Sequence, residues 1–162
     1  MRVARSIGDF LRRERIPHTI IHHRRAYTAR EEAATAAVPQ RDWAKTVVCF
    51  ADGQPIQAVL PSDLMVDLER LRALAGARGI RLATEAEIIE LYPECEPGAT
   101  PPFGTLYGHR VFVDATLVGD PEMVFSDGTH TDAICMHFND FADIVKPILG
   151  SFATVHARNQ GS

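Results

Sequence analysis

The stretch from Thr46 to Leu60, TVVCFADGQPIQAVL, leaves the chain little conformational choice. A β-branched and aromatic run meets Asp52-Gly53, a dipeptide that readily takes the two positive φ angles of a tight hairpin turn. Beyond the turn, Ile56, Ala58 and Leu60 alternate with Gln57 and Val59, the period of a strand with one buried face. The expected hairpin is an antiparallel pair with an apolar face that the rest of the chain must cover.

Other segments supply partners and cover. His18–His23 (HTIIHH), Ile80–Ala83 (IRLA), Arg110–Val118, Glu122–Ser126 and Thr131–Phe138 read as strands, the last two joined by the turn Asp127–His130. Ile7, Phe10 and Leu11 predict a helix over 4–15, ended by Pro17. Thr28 and Glu31 have capping-box spacing at the start of an alanine-rich helix to about Ala37, stopped before Pro39. Asp63 is expected to cap a helix with Leu64, Leu68, Leu71 and Ala75 on its apolar face. A second capping box, Thr84 to Glu87, opens a helix through Tyr92 that Pro93 closes. Asn139 is expected to cap the last helix, with Phe141, Ile144 and Val145 inward, and the chain is expected to fray from Ser151. No repeat or linker interrupts this order. It predicts one α+β domain over 1–150, with a central mixed, largely antiparallel sheet flanked by helices, and a tail at 151–162.

Charge and cysteine usage narrow the partners. The chain is net −4, which argues against a broad nucleic-acid-binding surface. Residues 1–30 nevertheless hold eight arginines against Asp9 and Glu14, a local +6. Arg12, Arg13, Arg24 and Arg25 are therefore candidates for a phosphate backbone, or else the solvated faces of a helix and a loop. No run approaches the roughly 18–20 apolar residues of a membrane span, so no membrane partner is expected. Cys49, Cys95 and Cys135 are odd in number and widely spaced, with no CxxC pair, which points to a reduced, cytoplasmic setting.

Several chemistries find no support. His18, His22 and His23 cluster, and His130 and His137 lie seven apart, but no HxxxH sits on a helix with an acid partner; no metal site is expected. Cys49 and Cys135 lie in apolar strands, and Glu94 and Glu96 would raise the pKa of Cys95, so no catalytic thiol is expected. No nucleotide-binding glycine loop or GxSxG elbow follows a strand.

Two features are more suggestive. Lys45 is one of only two lysines and stands at the entrance of the hairpin strand. It is either a solvated strand-end residue or a compact charge for a phosphate or carboxyl group. Between two periodic segments lies ECEPGATPPFG (94–104), with Pro97, Pro101 and Pro102 fixing φ and withholding N–H groups. The amides of Gly98, Ala99 and Thr100 are left as donors for an anion or oxyanion, although a Pro/Gly loop alone does not separate a site from a connector.

Taken together, the pieces are similar to one family. Thr28 in YTAREEAA, Lys45 in WAKTVVCF, Gly98-x-x-x-Pro102 in CEPGATPPFG and Gly128-Thr129-His130 in FSDGTHTDAI resemble the YbaK / prolyl-tRNA-synthetase-associated domain family, over about residues 15–147. The resemblance implies a free-standing deacylase that hydrolyses mischarged aminoacyl-tRNA in trans, often on proline tRNA, with prolyl-tRNA synthetase as a partner. Lys45 would then hold the terminal adenosine or its phosphate, and the amides of Gly98 to Thr100 the ester carbonyl. His130 would line the pocket or act as base. Thr28, Ala99, Thr100, Gly128 and Thr129 would contact substrate, with Pro101 and Pro102 as rigid walls. The resemblance implies no metal and no cofactor. It leaves open a catalytically silent module that binds charged tRNA or a synthetase, and a hydrolase of small aminoacyl esters.

Overall fold

The hairpin forms as its sequence demands. β2 (Ala44–Ala51) and β3 (Gln54–Pro61) pair antiparallel from Ala44 opposite Pro61 to Ala51 opposite Gln54. Asp52 and Gly53 turn the chain with φ of 50° and 80°. This is a computed structural model describing residues 7–155. The expected first turn of the N-terminal helix, Arg2, Arg5 and the end of the tail lie outside the described residues.

β3 is the centre of a five-stranded sheet ordered β5-β2-β3-β6-β9, with β5 at Ile80–Leu82, β6 at Arg110–Asp114 and β9 at Ile148–Gly150. β5, β2 and β3 run antiparallel, whereas β3–β6 and β6–β9 are parallel. The sheet is thus mixed as expected, with two antiparallel and two parallel strand pairs. The parallel step follows from the long excursion between β3 and β6, which no tight turn could make. A second sheet, β1-β8-β7, is wholly antiparallel, with β1 at Thr19–His22, β7 at Glu122–Ser126 and β8 at Asp132–His137. A single parallel bridge from Trp43 to Val124 links the start of β2 to β7.

The main core lies between these two sheets. Val59, Val111 and Val113 meet Met123, Phe125, Ile134 and Met136, closed by Ile7 and Leu11 of α1 (Ile7–Arg13) and by Phe138, Phe141 and Val145 of α5 (Phe138–Val145). On the other face of the large sheet, Cys49, Ile56, Ala58, Leu60 and Phe112 pack with Leu71 of α3 (Leu68–Ala75) and with Phe152. β3 is therefore buried on both sides, and the alternation read as wet-against-dry is core-against-core. Gln57 is fully buried.

Four local expectations change. Leu64–Val66 is a short strand, β4, and Asp67 rather than Asp63 caps α3, accepting from the amides of Glu69 and Arg70. Asn139 lies inside α5, whose N-cap position is His137 with no side-chain cap. β6 ends at Asp114, where that side chain caps a 3-10 turn over Ala115–Leu117. The chain does not fray at Ser151: Phe152 is buried and β10 (Ala153–Val155) pairs with β4.

Asp114 explains that ordered end. Its carboxylate accepts from the amides of Phe152 and Ala153 at 2.8 Å each and from the amide and hydroxyl of Thr116. Burial opposes its ionisation, but these hydrogen bonds prevail and hold its pKa below the usual range. Asp114→Ala is expected to cost about 3 kcal/mol in urea unfolding. A depressed carboxyl stabilises above its unfolded pKa, so this contribution is lost as pH falls through the lowered value.

Candidate active site

The loop 94–104 follows α4 (Glu85–Leu91), which the capping box at Thr84 opens as expected. Gly98 sits at φ 87°, a region that side chains other than hydrogen strain to occupy. The Ala99 amide closes a turn onto the Glu96 carbonyl at 3.0 Å. Of the three amides proposed as donors, Ala99's is therefore committed, and its residue is buried. The amides of Gly98 and Thr100 have no partner among the described residues.

Buried polar side chains pin this loop at both ends. Gln57 donates to the Pro101 carbonyl at 3.3 Å and accepts from the Gly104 amide at 2.9 Å. A Cβ on Gly104 would lie 2.8 Å from the Gln57 side chain, so that approach needs glycine. At the other end His130 Nε2 lies 2.6 Å from the Pro97 carbonyl. A carbonyl only accepts, so Nε2 carries a proton. The Glu96 amide donates to the Gly128 carbonyl at 2.8 Å, and the Glu96 carboxylate accepts from the His130 amide and from Arg25. Gly128 and Thr129 thus belong to a brace behind the loop, with Thr129 donating to Asp127 Oδ1 through amide and hydroxyl.

Behind His130 lies a group that sequence reasoning did not single out. Glu32, on α2 (Ala29–Thr35), is fully buried between β7 and the loop brace. Its Oε2 is 3.3 Å from His130 Nδ1, and its Oε1 accepts from the Ser126 hydroxyl at 2.7 Å. Because Nε2 is already protonated, Nδ1 and Oε2 can approach favourably only with one proton between them. Burial raises the Glu32 pKa, while Ser126 and His130 act in the opposite sense. Ser126, Glu32, His130 and the Pro97 carbonyl form one chain of hydrogen bonds ending on the loop. His130 is buried beneath the loop, with both ring nitrogens engaged. It braces the site instead of lining it.

Gly98 and Thr100 form part of the wall of a cavity of about 190 Å³. Thr28, Lys45 and Ser126 lie on the same wall, with Trp43 beneath and Tyr27, 65% exposed, at the rim. Thr28 caps α2 by accepting from the Glu31 amide; Glu31 returns its carboxylate to the Tyr27 amide, not to Thr28, so the capping box is only half formed. Lys45 is half-buried, and its ammonium has no hydrogen bond or ion pair among the described residues. Burial first, then nearby Arg30, lowers its pKa, against Asp63. Thr46, also on the wall, has a buried hydroxyl with no partner. The cavity therefore gathers Thr28, Lys45, Gly98 and Thr100. Ala99, Pro101, Pro102, Gly128, Thr129 and His130 stand behind it. The two prolines are buried supports.

The arginines divide similarly. Arg12 pairs with Asp9 and Arg13 approaches Glu14, both on or beside α1, and Arg25 pairs with Glu96 at 2.9 Å. Arg24 is exposed and has no ion pair among the described residues. Burial pushes Cys49 and Cys135 up to about 11 and Cys95 to about 12, so these thiols stay protonated. Among the described residues, no three acidic, histidine or cysteine side chains cluster to hold a metal, and no helix is long and apolar enough to cross a membrane.

Of these residues, Gln57, Glu32, Ser126 and Trp43 were not foreseen. The available signal was a polar residue within an apolar strand or helix: Gln57 amid PIQAVL, Glu32 amid EEAAT, Ser126 ending EMVFS.

The model for the aminoacyl-tRNA editing domain matches residues 23–144, which contain the cavity and its brace. A "Multifunctional Ser/Thr-tRNA deacylase ProXp-y" of Escherichia coli is 31% identical over 114 residues, covering 67% of this chain and 68% of that protein. A proline–tRNA ligase of Nitratidesulfovibrio vulgaris is 35% identical over 95 residues, 59% of this chain but only 16% of the ligase. Two crystal structures share the fold. A hypothetical protein superposes with TM-score 0.82 at 18% identity, over 91% of this chain and 99% of its own. A candidate trans-editing enzyme for prolyl tRNA synthetase gives 0.75 at 20% identity, over 85% and 87%. The chain belongs to the aminoacyl-tRNA editing domain family.

Proposed function

We propose that this chain is a trans-acting deacylase that hydrolyses the ester of a mischarged tRNA, with proline tRNA carrying a small wrong amino acid as its substrate. The observation that carries the reading is the pair of unpartnered amides, Gly98 and Thr100, on the wall of the cavity that Lys45 and Thr28 also line. Fixed donors aimed at a developing oxyanion contribute about 3–4 kcal/mol each to a transition state, because they need no reorganisation. The loop that carries them is held by His130 and Gln57 rather than by its prolines alone.

In this reading the ester carbonyl sits against the two amides and a water attacks it. Among the described residues no carboxylate or free imidazole lines the cavity, and the neighbouring ribose hydroxyl of the substrate orients that water. The oxyanion collapses, the ribose oxygen leaves with a proton, and the amino acid is released. The reaction needs neither metal nor cofactor. A volume of about 190 Å³ is roughly six waters, enough for a small side chain with its ester. Editing by size suits such a site, since a synthetase separates residues one methylene apart by only about 1–3 kcal/mol.

Lys45 on the cavity wall and exposed Arg30 near it take the terminal phosphate, and exposed Arg24 is a further contact for the acceptor end. Lys45→Ala is expected to raise KM about tenfold with a smaller change in kcat, and to reduce the slope of log affinity against log salt by about 0.7. Steady-state kinetics at several salt concentrations check this, and an unchanged slope would remove Lys45 from the phosphate. The function itself is tested by offering the same amino acid on intact tRNA and on the terminal adenosine alone. Cleavage of the tRNA ester above the uncatalysed rate supports the deacylase. Equal use of both esters identifies a small-ester hydrolase, and tRNA binding without cleavage identifies a silent module.

A further inference from the structure

On the cavity wall, Ser126 has its hydroxyl proton already committed. Its Oγ donates to Glu32 Oε1, while Glu32 Oε2 faces the ring of His130. Whichever of Glu32 and His130 carries their shared proton, it lies on the Oε2 side, so Oε1 remains an acceptor. Ser126 therefore donates backwards in either state and offers only lone pairs to the cavity. The Lys45 ammonium and the amides of Gly98 and Thr100 there can only donate, whereas the hydroxyls of Tyr27, Thr28 and Thr100 can turn to donate or accept. Among the described residues no lining side chain is a carboxylate, and the buried acid Glu32 stands one hydrogen bond behind Ser126.

Resting on the deacylase reading, we infer that Ser126 is the acceptor for the α-ammonium group of the aminoacyl ester, fixed in that role by Glu32. An aminoacyl ester brings a cation into a cavity that already holds Lys45, so it needs an acceptor oriented before it arrives. Ser126 provides one, with the Glu32–His130 pair behind it to polarise the hydroxyl. The same chain of bonds ends on the Pro97 carbonyl, so recognition of the amine and placement of the loop share one support.

The test compares ligands with and without the amine. Stable amides of 3′-aminoadenosine carrying alanine or propionate are titrated calorimetrically, and the matching esters are assayed against their own uncatalysed hydrolysis. The wild-type protein is expected to bind the alanyl amide at least about tenfold more tightly than the propionyl one, the size of a charge-assisted hydrogen bond. Ser126→Ala is expected to bring the ratio of the two affinities to about one, whatever the absolute affinity for the propionyl amide. Glu32→Gln keeps an oxygen that accepts from Ser126 and is expected to retain the preference. A Ser126→Ala protein that keeps the tenfold preference, including one that loses affinity for both ligands by the same factor, would overturn the assignment. Preferential binding of the alanyl amide with no turnover of either ester would refute the deacylase reading and leave the role of Ser126 standing.

Discussion

Gly98→Val is expected to lower kcat/KM for the mischarged ester by at least about 100-fold while the domain stays folded. A Cβ at this position would lie 3.4 Å from His130 Cε1 and 3.5 Å from the Tyr27 carbonyl oxygen, and φ there is 87°. Space alone would admit a methyl group; the backbone conformation would not admit a β-branched residue without strain of about 1–3 kcal/mol. That is a fraction of the 5–15 kcal/mol of a typical domain, so folding survives. The loop relieves the strain by rotating, and the Gly98 and Thr100 amides move with it. Circular dichroism and thermal unfolding report the fold, and single-turnover deacylation reports the amides. Full activity with an intact fold would show that the loop does not hold the carbonyl.

Glu32→Leu is expected to be the most damaging change to stability, at about 3 kcal/mol or more in denaturant unfolding, with deacylation falling at least about tenfold in the fraction that remains folded. It leaves Ser126 and His130 Nδ1 buried opposite an alkyl group and frees the ring to turn away from Pro97. Glu32→Gln keeps a donor for Nδ1 and an acceptor for Ser126, and should restore most of both. The pH dependence has a definite sign. Burial raises the Glu32 pKa on folding, so the carboxyl contributes most below its unfolded value and that contribution is lost as pH rises through the folded value. The glutamine variant cannot ionise, so its stability relative to wild type should grow as the pH rises. A constant difference between the two proteins from acid to alkaline pH would mean that Glu32 does not titrate in this environment.

How much of this was legible in the sequence varies with the kind of signal. The hairpin, the second capping box and the strands of the smaller sheet follow from local chemistry, and local chemistry was sufficient for them. The parallel pairing of β6 with β3 and β9 was not readable, because nothing in RVFVD marks which strand it will meet. Asp63 and Asp67 offer the same capping side chain four residues apart, and pairing of Leu64–Val66 with β10 decides between them. In the site, Lys45, Thr28 and the loop glycine were visible as motifs. Their support was not: Gln57, Glu32 and Ser126 lie on three different elements and meet the loop only after folding. Pro101 and Pro102 drew attention as walls, but their stiffness acts through a backbone that Gln57 holds.

The proposed role of this cavity and its two free amides is to select and hydrolyse a small wrong amino acid on tRNA. The most direct measurement is deacylation of one proline tRNA charged in turn with alanine, serine, cysteine and proline, each set against its uncatalysed loss. At least one small ester is expected to be hydrolysed at least about 100-fold faster than without protein, with prolyl-tRNA left intact. Folded protein that accelerates none of the four, or that cleaves prolyl-tRNA as fast as the others, would contradict it.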